Sequence, residues 1–337
     1  DPDARGGARL RVVARTDAHP RGESLGQGLG SGDARVPGVC RRAGLAAEQV
    51  EPIERFAFYG IRWAMVLYIV AQFHGGAASG EQPASELYGA YLALVYAGAI
   101  FGGYVADKLI GFQRSILLGA VIMATGLFLL ASPSEAMFKL GLATIIVGNG
   151  LFKPIISTMV GKLYAQGDDR RDSGFTIFYM GINIGALLAP LVTQYLAKKI
   201  FGIEDMPAYK VVFIAAGIGM LLSLVWFWFG RSQLKGIGLP AAHQEGMRNV
   251  SLVLVFGVII GIPMFYALLT IDAKLLQAIL MALFVIPAVM LFREGVLEGK
   301  VSRDKVLAML TIFVFNVLFW MFFEQAGSSF NFLAEKI

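Results

Sequence analysis

The chain has 337 residues, of which 56% are hydrophobic and only 16% charged, against about 25% charged in soluble domains. With a mean hydropathy of +0.65, this composition excludes a disordered chain, a fibrous repeat and an ordinary soluble enzyme, and it points to a lipid bilayer as a partner. The net charge of +5 does not call for nucleic acid, because Lys and Arg gather in the cytoplasmic loops of membrane proteins.

Cys40 is the single cysteine, which leaves no disulfide framework and no cysteine metal cluster. His19, His74 and His243 lie too far apart in sequence for a local zinc signature. No metal and no cofactor is expected. Residues 1–49 hold eight arginines, no lysine and no Phe, Tyr or Trp. Such a segment has little to bury and is expected to be disordered, with no function of its own; a mis-called gene start would give the same composition. The glycine-rich residues 26–32 brush against a dinucleotide fingerprint, but no strand precedes them and no helical pattern follows, so they read as a flexible linker.

From Phe56 onward, long apolar runs alternate with short polar ones. Spans are expected near 53–73, 86–107, 114–132, 136–160, 174–197, 210–230, 250–270, 273–292 and 304–324. Each is about 20 residues, enough to cross about 30 Å of hydrocarbon as helix. The expected fold is therefore an all-α polytopic membrane protein of about nine spans. The loops after the second, fourth and sixth spans and before the ninth carry twelve positive residues, among them Lys108, Arg114, Lys162, Arg170, Arg171, Arg231 and Lys235; the opposite loops carry five, Lys139, Lys198, Lys199, Lys210 and Lys274. The positive-inside rule puts the N-terminus in the cytoplasm. The lysines at 198, 199 and 210 run against that trend. Nine spans would leave the C-terminus outside, and together with the abrupt end at Ile337 this suggests an incomplete chain.

Ionisable residues within the spans carry the functional signal, since each costs about 2.5–3.5 kcal/mol to insert. On a helical wheel, Glu51, Glu54, Arg55 and Arg62 of the first span share an arc of about 100°, with Tyr59 at its margin. A charged stripe on a lipid-buried helix must face a water-filled cavity or other polar helices. An ion-pair ladder near a helix end would explain the first three charges but not Arg62, two turns deeper. In the fourth span Lys153 precedes Pro154, which frees the carbonyl of Gly150; glycines at 148 and 150 permit close packing or local unwinding. Lys153 needs an anionic partner, which Glu51 or Glu54 can supply, unless it snorkels to the cytoplasmic face. Gly181 and Gly185 of the fifth span form a GxxxG packing pair, and Asn183 lies with Tyr179 and Gln194 on a narrow polar stripe, either interhelical glue or ligand contact. The ninth span holds Asn316, Trp320 and Glu324, the last a second candidate for proton binding or a plain helix-end acid. At the turn after the second span, Gly103, Asp107, Lys108 and Arg114 read as a structural motif joining helix ends. Asn249, in a glycosylation triplet on the expected cytoplasmic side, reads as chance.

Five strings, taken in order, resemble the proton-dependent oligopeptide transporter family of the major facilitator superfamily. They are E-x-x-E-R at Glu51, Glu54 and Arg55, then GGYVADKLIGFQRS, GLFKP, FYMGINIGA and FFEQAGSS. The resemblance covers about residues 50–337. It implies a six-helix N-terminal bundle over 50–230, a cytoplasmic linker and extra hairpin over 231–300, and the first helix of an incomplete C-terminal bundle over 301–337. It further implies proton-driven symport of di- and tripeptides by alternating access. In that scheme Glu51, Glu54 and Arg55 couple proton movement with Lys153 as salt-bridge partner, Arg62 and Lys153 hold the peptide carboxylate, Asn183 meets the amino end, Tyr59 and Tyr96 line the site, and Glu324 joins proton-linked gating. Ile53 and Ile155 depart from the family pattern and bear on substrate geometry. A two-bundle carrier encloses its site between both halves, so the fragment is expected to be inactive without the missing bundle.

Rival readings are another proton-coupled carrier of the same superfamily, for nitrate or another anion, a channel, and a binding or assembly protein without transport. No G-x-S-x-G, H-E-x-x-H or nucleotide-binding loop is present, so no enzyme is expected.

Overall fold

The computed structural model describes residues 37–164, 167–203, 207–234, 236–239 and 247–336, with side chains from 52 onward except 247 and 248. The glycine-rich residues 26–32 and the Glu51 side chain lie outside the described residues. Eleven helices follow in order among the described residues: α1 (Pro37–Phe73), α2 (Glu81–Val105), α3 (Phe112–Leu130), α4 (Glu135–Lys162), α5 (Arg170–Tyr195), α6 (Tyr209–Gly230), α7 (Met247–Leu254), α8 (Ile262–Thr270), α9 (Ala273–Leu297), α10 (Lys300–Phe323) and α11 (Ser329–Lys336). Short π-helical stretches extend α2 and α5 and join α7 to α8, and the 3-10 turn Glu324–Gly327 joins α10 to α11. Nine of the resulting helical stretches are long and apolar enough to cross a membrane. Seven of them follow the expected spans to within five residues at either end; the second, Ala78–Ile110, begins eight residues earlier than expected, and the ninth, Lys300–Lys336, ends twelve later.

One boundary differs. α1 begins at Pro37, so helix runs through the last thirteen residues of the segment expected to lack order. Hydropathy is silent there, but the stretch is rich in Ala, Arg, Glu and Gln, all strong helix formers.

The core lies among α1 to α6. α3 and α4 pack along their length, α1 packs against α5 and α6, and α2 against α4. Glycines set these distances. A Cβ on Gly148 of α4 would sit 2.7 Å from Met123 N and 2.8 Å from Gly119 O of α3, and one on Gly150 would sit 2.7 Å from Gly98 O of α2. Without a hydrophobic driving force between helices in lipid, such backbone approaches supply the van der Waals contact that holds a bundle together. The α2–α4 contact passes through Gly102, whose Cβ would overlap the Gly150 backbone. Gly103, expected to be structural, has nothing within 4 Å of its Cβ position; it points a third of a turn away from α4. Asp107 and Lys108 are exposed on the π-helical turn Ala106–Ile110. Gly111 ends that turn with φ 77°, a backbone angle that favours glycine.

The hairpin of α7 to α9 packs by α8 on α4, and its Phe265, Leu269 and Leu276 join the core cluster. There Val147 lies 3.4 Å from the Cβ position of Gly261 and 3.6 Å from that of Gly257. Asn249 donates from Nδ2 to the Leu109 carbonyl at 3.3 Å, so its amide serves the contact between hairpin and α2.

Candidate functional site

α1 places its charged stripe inside the bundle. Glu54 has 0% exposure and Arg55 5%. The two form an ion pair, Arg55 Nε to Glu54 Oε2 at 3.0 Å, and the Arg55 guanidinium also lies 5.7 Å from the centre of the Phe58 ring. The stripe can come this close to α5 because of Gly185, where a Cβ would stand 2.6 Å from the Pro52 carbonyl and 3.2 Å from Arg55 Cβ. Gly185 is buried at this contact, while Gly181, one turn earlier, is half-buried.

Arg62, two turns deeper, is tied on three sides. Its Nε donates to the Tyr88 hydroxyl of α2 at 2.8 Å. Its Nη2 pairs with Glu324 Oε2, at the junction between α10 and the 3-10 turn. Its guanidinium stands 5.6 Å from the Tyr59 ring and 5.9 Å from the Tyr88 ring. The side chains of Arg62 and Glu324 retain 12% and 24% exposure, so the pair borders open space. Tyr88 and its role went unnoticed in the sequence, where it is one of several aromatics in an apolar run.

Lys153 of α4 lies beside the same stripe. Its Nζ is 4.2 Å from the Tyr96 ring centre and 5.6 Å from that of Phe58, a cation–π arrangement that suits an ammonium in a partly dry site. Tyr96 is half exposed. Tyr59, Arg62, Tyr96, Lys153 and Glu324 are therefore brought together by α1, α2, α4 and α10. Asn183 is not part of that group: it is exposed, and its Nδ2 donates to the Tyr179 carbonyl one turn back at 2.8 Å. It lies about 200° around α5 from Gly185 and so faces away from α1.

Beyond Glu324 the chain closes one end of the bundle. A Cβ on Gly327 would collide with the Tyr88 hydroxyl, so only glycine lets the 3-10 turn seat against α2. Asn331 Nδ2 donates to the Trp63 carbonyl at 2.7 Å, and Phe332 enters the core cluster. Lys336 Nζ pairs with Glu81 Oε1 at 2.8 Å and Lys198 Nζ with Glu335 Oε2 at 3.4 Å. The second pair gives Lys198, out of trend by charge counting, a local partner. At the other end, in the turn between α4 and α5, Asp168 accepts bonds from the Arg170 side chain and backbone, which hold its carboxyl down to about 2.

Two cations, Arg62 and Lys153, thus stand with the carboxylates Glu54 and Glu324 among aromatic rings, an arrangement with the chemistry to bind an anionic group. No group of three or more metal-ligating side chains occurs among the described residues.

A family model described as the POT family matches residues 113–337. The chain is 34% identical over 290 residues to the dipeptide and tripeptide permease B of Salmonella typhimurium, covering 85% of this chain and 56% of that protein. It is 34% identical to the di-/tripeptide transporter of Lactococcus lactis, covering 83% of this chain and 58% of that protein. Among solved structures it is similar to a bacterial homologue of the human drug peptide transporters PepT1 and PepT2, with TM-score 0.74, 25% identity, and coverage of 86% of this chain and 61% of that one. A peptide transporter solved with sulfate matches at TM-score 0.68 and 30% identity, over 85% of this chain and 59% of that one. The chain thus spans little more than half the length of the curated relatives it matches.

Proposed function

The chain belongs to the POT family, and from that premise we propose that it supplies the N-terminal bundle and first gating helix of a proton-coupled importer of di- and tripeptides. It is an integral membrane protein of several spans. Its N-terminus lies in the cytoplasm, by the positive loop charges, so the closed end built by α11 faces outward. The remaining length of the relatives would supply the second bundle, needed to enclose the site and complete alternating access.

The observation that carries the reading is the ion pair of Arg62 with Glu324, beside the buried Glu54–Arg55 pair. With Glu324 ionised, Arg62 is occupied and the outward end is held shut. A proton on Glu324 removes that charge and frees Arg62 for the carboxylate of an incoming peptide, with Lys153 as the second cation. A differential interaction of this kind is what a ligand needs in order to shift a two-state equilibrium. Every peptide presents a terminal carboxylate, so such a site tolerates many side chains. Glu54 and Arg55 are a second protonation-sensitive pair on the same helix, with Glu51 one turn earlier, and Tyr59 and Tyr96 form the walls. Asn183, turned from α1, would meet the peptide's amino end only from the cavity side.

The other reading kept is a proton-coupled carrier of a different small anion, since Arg62 and Lys153 do not by themselves demand a peptide. Uptake of labelled dialanine and of nitrate by the full-length protein in proteoliposomes, under an inward proton gradient, separates the two. Dialanine accumulation without nitrate accumulation supports the peptide reading. Nitrate accumulation alone overturns it.

A further inference from the structure

Glu54 is sealed in the bundle at 0% exposure. A carboxylate in that position that gains and loses a proton in each cycle needs a polar route, because protons move along hydrogen-bonded groups and not through packed hydrocarbon. Among the described residues, two polar groups of the required kind lie outside the site built by Arg62, Lys153 and Glu324. The Tyr91 hydroxyl and both amide atoms of Asn149 are fully buried and have no hydrogen-bond partner. Buried polar groups are nearly always satisfied, by protein or by internal water.

Their places are fixed. Asn149 lies between Gly148 and Gly150, which clamp α4 against the backbones of α3 and α2 at would-be Cβ distances of 2.7 to 2.8 Å, so α4 cannot turn to bring the amide to the surface. Asn149 is one turn before Lys153 and on the same face, and Lys153 reaches Phe58, itself one turn from Glu54 on α1. Tyr91 of α2 lies within electrostatic reach of Glu54, Tyr88 and Arg62. A hydroxyl and an amide can each donate and accept.

We propose that Asn149 and Tyr91 hold an internal hydration site between α1, α2 and α4 through which Glu54 exchanges its proton, Asn149 acting as a positioning residue. Each water on the route and the Tyr91 hydroxyl takes one proton and passes one on, while the Asn149 amide only holds a water in place by hydrogen bonds, so the net result is one proton delivered to the Glu54 carboxylate and none left on Tyr91 or Asn149. This rests on the transport reading above for its role, but not for its existence.

Two measurements on the full-length protein test it. The first compares gradient-driven dialanine uptake with counterflow, the exchange of peptide for peptide without a gradient. Asn149→Leu is expected to lower driven uptake about tenfold or more, the scale of a lost proton-transfer group, while counterflow stays within about twofold. Asn149→Ser, able to hold water, should restore uptake. Equal loss of both activities, or no rescue by Ser in folded protein, overturns the proposal, as does unchanged uptake in Asn149→Leu. The second is hydroxyl-radical footprinting, which needs no substrate. Tyr91 should be modified in the unaltered protein and protected in Asn149→Leu; a Tyr91 that is never modified overturns the hydration site. Failure of the unaltered protein to take up dialanine while Tyr91 is still modified contradicts the peptide reading alone.

Discussion

Arg62 and Glu324 form an ion pair although 262 positions separate them, and Tyr88 holds the same guanidinium through Nε at 2.8 Å. One arginine is therefore shared between α1, α2 and the turn after α10. These two contacts take two of its five N–H donors.

Removing the Tyr88 hydroxyl leaves the half-buried guanidinium short of an acceptor. Hydrogen bonds to charged groups contribute about 1.5–3 kcal/mol. Tyr88→Phe in the full-length protein should lower the thermal midpoint, by less than the about 3–6 °C that the smaller figure would cost a domain of 150–250 residues. Because both changes act on Arg62, Tyr88→Phe and Glu324→Gln should be non-additive by at least about 0.5 kcal/mol in a double-mutant cycle. Strict additivity would mean that the two contacts do not share the arginine.

Adjacent glycines should behave oppositely. Gly102→Ala forces a methyl into the Gly150 backbone, whereas Gly103→Ala meets nothing within 4 Å. The first should lose folded yield or cost more than the about 1–3 kcal/mol typical of overpacking, since backbone cannot give way as a side chain does. The second should be neutral or slightly stabilising. Yield of monodisperse protein by size-exclusion chromatography, together with thermal midpoint, reads both.

The α11 end should act as a latch. Glu81 and Lys336 pair at 2.8 Å but are partly exposed, so either single substitution should change stability by no more than about 1 kcal/mol. Joining the two positions should do far more. With Cys40→Ser as background, Glu81→Cys combined with Lys336→Cys and bridged by a short bis-maleimide should stop uptake, and a reducible bridge should allow recovery on reduction. Full uptake with the bridge in place would show that this end does not open.

Asp168 bears on the pH dependence by exclusion. Its folded value, about 2, lies below the ordinary 3.8 because Arg170 bonds to the ionised form. A depressed acid contributes stability above its unfolded value and loses it as pH falls through the folded one. That window, from near 4 to about 2, lies below the range in which a proton-driven carrier works. Asp168→Asn should leave the pH profile of uptake unchanged between 5 and 8.

The spans were legible because hydropathy over 20 residues is a one-dimensional signal: the run expected at 273–292 is the helix Ala273–Leu297. The Glu54, Arg55 and Arg62 stripe was legible for the same reason, as charge where lipid forbids it. Partnerships across the bundle were not. Nothing local joins Arg62 to Glu324, or marks Tyr88 among its aromatic neighbours. Gly102 and Gly103 differ only in a third of a helical turn, and which one meets α4 depends on a register that only the packed pair defines. Asn149 stands between two glycines that were read for packing, and nothing in the sequence marks its full burial. The helix at 37–49 carries no apolar run for hydropathy to find.

On the proposed function, peptide entry moves protons through the acids of this bundle. The most direct measurement is internal pH in proteoliposomes loaded with a pH-sensitive dye, on adding dialanine outside to the full-length protein. Acidification is expected on dialanine addition and is expected to be absent in Glu54→Gln, although that variant still exchanges peptide in counterflow. Dialanine accumulation with no acidification, or acidification undiminished in Glu54→Gln, would contradict it.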